Sequence, residues 1–170
     1  MKRRQAIKIS SLGAIGLSAS INTGCASNAF SFDHGVASGD PTEERVILWT
    51  RVTPKKVGTV RVVLEISESE NFSEIVFKKE LYTSSLIDYT IKYDFEATKY
   101  CKSHQGFFYR FKAGSVLSEV GKSRTFSADA ESVKIGIFSC SNYPAGYFNA
   151  YAAAAKDKLD LWLHLGDYLY

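Results

Sequence analysis

The sequence has little that would staple, cross a membrane or grip a nucleic acid. Its 170 residues include only three Cys and three Pro. That excludes a disulfide-dense small scaffold. There is no Cys-x-x-Cys pair, no Gly-rich phosphate loop and no Gly-x-Ser-x-Gly turn, so three common catalytic signatures are absent. Acidic residues are missing altogether from the first 29 positions, while Lys2, Arg3, Arg4 and Lys8 lie there. Without that stretch the chain carries 17 basic and 18 acidic residues, so the formal charge of +3 comes from the N-terminus. A near-neutral remainder offers no electrostatic footprint for specific nucleic-acid binding. What is present is ordinary for a globular chain: 45% hydrophobic and 23% charged residues.

The N-terminus has the three parts of an export signal. Lys2-Arg3-Arg4 is followed by a mildly apolar run from Ile9 to Ile21 and then by small residues. That run is shorter than the roughly 20 residues needed to span a bilayer. The paired arginines suggest a twin-arginine signal over residues 1–29, and so the Tat export machinery as a partner, with a general secretory signal as the alternative. Ser27-Asn28-Ala29 allows cleavage before Phe30. Thr23-Gly24-Cys25 resembles a lipoprotein box, which would put a lipid anchor on Cys25; Asn22 stands where that box prefers Leu. The expected location is periplasmic or extracellular, either free or as a membrane-anchored lipoprotein.

Residues 30–128 read as β structure. Arg45–Val52 is strand-like, and from Thr59 to Ile66 the residues Val60, Val62, Leu64 and Ile66 alternate with Thr59, Arg61, Val63 and Glu65. Further strands are expected from Ile75, over Tyr89–Phe95, over Phe107–Lys112 and within Val116–Phe126. About seven short strands with turn signals between them predict a fibronectin-like or Ig-like sandwich. Cys101 is the single Cys in that span, so no inter-sheet disulfide is available, which favours the fibronectin-like form. Cys101 and Cys140 fall in different predicted units, which argues against their pairing. Trp49 and the other aromatics of this span are read as core.

The pattern changes near Asp129-Ala130-Glu131-Ser132. Val133–Cys140 and Leu159–Leu165 are short apolar runs of the kind buried on both faces of a parallel sheet. Residues 145–157, rich in Ala, lie between them and favour a helix. The expectation is a βαβ unit over residues 133–170 that cannot stand alone and opens a truncated α/β domain. On this reading the chain is an N-terminal fragment, inactive by itself.

Sites in open α/β sheets form beyond the carboxyl ends of the strands. One strand end delivers Ser139-Cys140-Ser141-Asn142, the other Gly166-Asp167 and then Tyr170. Parallel neighbours lie about 4.8 Å apart, so Cys140 and Asp167 can face one point. A thiolate, a carboxylate and a phenolate together suit Fe(III), with Ca²⁺ or Mg²⁺ nearby. Each residue also has a plainer role: Asp167 as a helix N-cap, Cys140 as a small buried hydrophobe, Tyr170 as a packing aromatic. Among the histidines, His164 reads as a core or supporting residue, His34 as docking the sandwich against the second unit or capping a turn, and His104 as part of a surface turn.

The segments Phe32-Asp33-His34-Gly35-Val36-Ala37-Ser38-Gly39-Asp40-Pro41 and Val46-Ile47-Leu48-Trp49-Thr50-Arg51 closely resemble the opening of alkaline phosphatase D (PhoD-like) proteins. So do Phe107-Phe108-Tyr109-Arg110-Phe111, Val120-Gly121-Lys122-Ser123-Arg124-Thr125, Phe138-Ser139-Cys140-Ser141 and Gly146-Tyr147-Phe148-Asn149-Ala150-Tyr151. The strongest resemblance is Asp160-Leu161-Trp162-Leu163-His164-Leu165-Gly166-Asp167-Tyr168-Leu169-Tyr170. The resemblance implies a fibronectin-like domain followed by a metallophosphoesterase domain. It also implies an exported phosphatase or phosphodiesterase using Fe(III) and Ca²⁺, with Cys140, Asp167 and Tyr170 at metal-ligand positions and further ligands supplied from beyond them. Its substrates would be phosphate esters: small molecules, nucleotides or phospholipids. Two readings from other classes compete. One is a secreted β-sandwich binding or adhesion module without catalysis. The other is a thiol hydrolase using Cys140, for which no partner His is evident.

Overall fold

A computed structural model describes residues 29–101 and 106–168. The signal-peptide reading of residues 1–29, except Ala29, and with it Cys25, lies outside the described residues, as do His104 and Tyr170. The strands run in chain order as β1 (Phe30–Ser31), β2 (Val36–Gly39), β3 (Arg45–Arg51), β4 (Thr53–Pro54), β5 (Val60–Ser67), β6 (Phe77–Thr83) and β7 (Thr90–Glu96). A single-turn helix α1 (Ala97–Tyr100) precedes β8 (Phe107–Ala113), β9 (Val116–Leu117) and β10 (Gly121–Ser123). Then follow β11 (Ile135–Phe138), helix α2 (Asn149–Ala154) and β12 (Leu161–His164).

Two antiparallel sheets make the sandwich. One is ordered β2-β3-β7; the other is β10-β8-β5-β6, with β9 added to β8. Period-2 alternation explains most of the burial. Val46, Leu48 and Thr50 of β3 point inward, as do Ile91 and Phe95 of β7 and Phe107, Tyr109 and Phe111 of β8. Between the sheets runs a string of aromatic rings: Phe77, Phe95, Phe107, Tyr109 and Phe111, with successive centroids 5.2–6.5 Å apart. The strands expected from sequence are present, with ends shifted by a residue or two. The long run over Val116–Phe126 resolves into β9 and β10, and α1 was not foreseen.

Strand β5 departs from simple alternation because it is central and covered on both faces. Val60, Val62, Leu64 and Ile66 fill the core, and Val63, Glu65 and Ser67 are buried too. Glu65 lies opposite Arg110 of β8 and Lys78 of β6 in register. Both cations pair with its carboxylate, at 2.9 and 3.5 Å. The Arg110 guanidinium also sits 4.0 Å from the centre of the Phe72 ring. A buried carboxylate held by two cations is compensated, which is the condition for burying it at all. Opposite Tyr109 in the β8–β10 register stands Gly121, and a Cβ there would run into the Tyr109 ring. Gly121 is thus required by close packing.

Burial also sets a pH response. It pushes the Cys101 thiol up to about 11 and the Tyr109 phenol up to about 12. Both groups are acids that the fold keeps neutral. The unfolded chain releases these protons at lower pH than the folded chain does, so it is the state favoured as pH rises. Stability from these groups should therefore be intact below pH 9.0, the ordinary value for a thiol, and fall above it. Denaturant midpoints measured at neutral pH and at about pH 10.5 should show the decline, and Cys101→Ala should blunt it. A midpoint flat across that range would contradict this account.

Strands β11 and β12 pair in parallel, with Ile135↔Leu161 and Phe138↔His164 in register. Helix α2 lies between them in sequence, preceded by a 3₁₀ turn at Tyr143–Ala145. Apolar side chains of this pair are not covered: Ile137 is 64% exposed and Trp162 54%. This differs from the burial on both faces that the two apolar runs predict. Within the described residues these two strands have only each other as neighbours in their sheet, so their outer surface stays open. Asp160 ties the unit together. It pairs with Arg124, just past β10, at 2.5 Å and accepts a hydrogen bond from the Lys134 N–H at 2.7 Å. Among the described residues no helix is long and apolar enough to cross a membrane.

Candidate metal centre

The ladder between β11 and β12 continues past the ends of the strands. The Leu165 N–H donates to the Phe138 carbonyl at 2.8 Å, Cys140 N–H to Gly166 at 3.2 Å and Ser141 N–H to Asp167 at 2.8 Å. The two loops are therefore zipped together rather than splayed. Gly166 has φ +120°, a region that residues with a side chain rarely adopt, and permits the turn that follows β12. Cys140 and Asp167 both adopt left-handed backbone, at φ +59° and +51°. Such conformations are costly away from glycine, more so for Cys than for Asp, and they collect at functional sites.

This geometry brings the Cys140 Sγ to 3.7 Å from the Asp167 Oδ2. Both residues are exposed. A soft thiolate and a hard carboxylate aimed at one open point suit a borderline or trivalent ion, so the donors present fit a metal. They are two donors. Among the described residues no group of three or more His, Cys, Asp and Glu is placed to share an ion. Tyr170, the third residue expected from sequence, is outside the described range. Beside Cys140 opens a cavity of about 310 Å³, with Ser139, Asn142, Tyr147 and Phe148 among its walls.

His164 reads from sequence as a supporting residue, while nothing in the sequence marks Ser141 or Tyr151. All three meet. His164 Nε2 lies 3.2 Å from Ser141 Oγ and 3.1 Å from Tyr151 Oη, and the two hydroxyls are hydrogen-bonded to each other. The register Phe138↔His164 carries the signal, since it places Ser141 within reach of the His164 ring, but it exists only once the strands pair. His34 is elsewhere. Its Nδ1 lies 3.5 Å from the Arg51 guanidinium, which is also held by Asp88 at 2.9 Å.

Residues 18–127 match the family model for the PhoD-like phosphatase N-terminal domain, and residues 135–170 match that for PhoD-like phosphatase. The chain belongs to the PhoD-like phosphatase family. This PhoD-like chain is 35% identical to alkaline phosphatase D of Bacillus subtilis (strain 168), over 94% of its own length and 28% of that relative. The solved structure of PhoD superposes with a TM-score of 0.72 at 36% identity, covering 80% of this chain and 27% of that one. The likeness supports the β-sandwich directly. The chain thus spans little more than a quarter of the length of these PhoD proteins.

Proposed function

We propose that the protein is an exported, metal-dependent phosphatase or phosphodiesterase that hydrolyses phosphate esters with a metal-activated water. The observation that carries this reading is the convergence of Cys140 and Asp167 at the ends of two parallel strands, inside the segment matching PhoD-like phosphatase. Cys140, Asp167 and Tyr170 would hold the metal, with Fe(III) and Ca²⁺ as the ions the family resemblance implies. A metal bound there would supply Lewis-acid polarisation of the phosphoryl group and a hydroxide at neutral pH. The chain's own part is to fix the donors. The continued ladder sets the separation of the two strand ends, the left-handed backbone at both residues turns them toward one point, and the cavity beside Cys140 leaves room for an ester.

On this proposal residues 1–29 are a signal peptide, read by the Tat machinery. Residues 30–128 are the fibronectin-like domain and residues 133–170 begin the catalytic domain. The mature protein is periplasmic or extracellular, free or anchored through Cys25.

The test is hydrolysis of p-nitrophenyl phosphate and bis(p-nitrophenyl) phosphate by the full-length protein, before and after chelation. Turnover should vanish on chelation and return with iron and calcium. Turnover that survives exhaustive chelation would overturn metal dependence. No turnover of either ester after metal restoration would leave the sandwich as a binding module.

A further inference from the structure

The strand ends that carry Cys140 and Asp167 are linked by more than backbone. The Gly166 N–H points at His164 Nδ1 from 3.4 Å. A backbone N–H can only donate, so Nδ1 accepts and the neutral ring carries its proton on Nε2. That proton faces the Ser141 and Tyr151 hydroxyls. The three groups bring three protons to a triangle of three heavy atoms. With Nε2 already a donor, one hydroxyl proton must turn out of the triangle. Ser141 and Tyr151 both line the cavity beside Cys140.

His164 thus touches both loops. Through Nδ1 it holds the turn that delivers Asp167, and through Nε2 it holds Ser141, the residue after Cys140. Tyr151 braces this contact from α2, its ring packed against Phe138 at 5.0 Å and Phe148 at 5.5 Å. Ser141 is 7% exposed, so its hydroxyl has little water to turn to instead. We infer that His164, with Ser141 and Tyr151, is a positioning residue that fixes the spacing of the Cys140 and Asp167 donors, while not binding the metal itself. The inference rests on the ligand reading above.

Cobalt(II) is a suitable probe, because a Cys thiolate that binds it gives a near-ultraviolet charge-transfer band. In the full-length protein, His164→Ala should weaken cobalt binding on the order of 10–100-fold, the range for groups that orient metal ligands, here through Ser141 and Gly166. It should also shift the band. His164→Asn keeps an acceptor for the Gly166 N–H and should recover part of the affinity. Tyr151→Phe keeps the ring packing, so it folds even if the His164 variants do not, and should weaken binding in the same direction. Cys140→Ala and Asp167→Asn serve as references. If those two abolish the band while His164→Ala and Tyr151→Phe stay within about twofold of the parent, the positioning role is wrong and the ligands stand. If Cys140→Ala and Asp167→Asn instead leave cobalt binding unchanged, the ligand reading fails and the positioning role fails with it.

Discussion

Phe95→Ala is expected to lower the free energy of unfolding by about 3–5 kcal/mol, the range for removing a buried aromatic ring. Phe95 is fully buried and stands on β7, in the three-stranded sheet. Its ring centroid lies 5.2 Å from that of Phe77 on β6 and 5.2 Å from that of Phe107 on β8, both in the opposite sheet. It also stacks 6.0 Å from Tyr100 of α1. The ring therefore spans the gap between the layers. Loss of it would leave a void that two hydrogen-bonded sheets cannot close by sliding together, so little of the lost contact would be regained. Denaturant unfolding followed by near-ultraviolet circular dichroism would measure the change. A loss below about 1 kcal/mol would mean that the layers collapse more freely than this packing implies.

The same residue shows why the sandwich was legible in the sequence. Tyr89, Ile91, Tyr93 and Phe95 alternate with polar neighbours, and that period is sufficient to assign a strand and its inward face. Strand β5 was harder. Glu65 looks outward-facing in the sequence, yet it is buried, with Arg110 and Lys78 on the flanking strands supplying the compensating charge. Cross-strand charge partners depend on register, which local sequence does not record. Helix α1 carries no cap signal, since Glu96 at its N-cap makes no side-chain hydrogen bond there. In the candidate metal centre, the approach of Cys140 to Asp167 could be read from strand-end position, and the two side chains do lie 3.7 Å apart. The His164 brace could not be read that way. It depends on a three-way meeting of residues from a loop, a helix and a strand that lie 10 and 23 positions apart in sequence.

Asp167→Asn should reduce phosphate-ester turnover by the full-length protein by about two to three orders of magnitude. A metal acting as Lewis acid contributes several kcal/mol of transition-state stabilisation, and each 1.36 kcal/mol is tenfold in rate. Asn is the informative replacement because it changes the charge and little else. Asp167 sits at φ +51°, a conformation Asn tolerates about as well as Asp, whereas Ala would add strain of roughly 1–2 kcal/mol. The backbone contacts that join the two loops, from the Cys140 N–H to the Gly166 carbonyl at 3.2 Å and from the Ser141 N–H to the Asp167 carbonyl at 2.8 Å, are left in place by the substitution. Any loss of metal can then be assigned to the missing carboxylate, not to a displaced strand end. Bound iron, measured by elemental analysis beside kcat/KM, should fall together with activity. Iron retained at the parent level with activity reduced would make Asp167 a group that acts on the substrate. Iron and activity both retained would remove it from the site, and would leave its left-handed backbone as a feature of the turn after Gly166 alone.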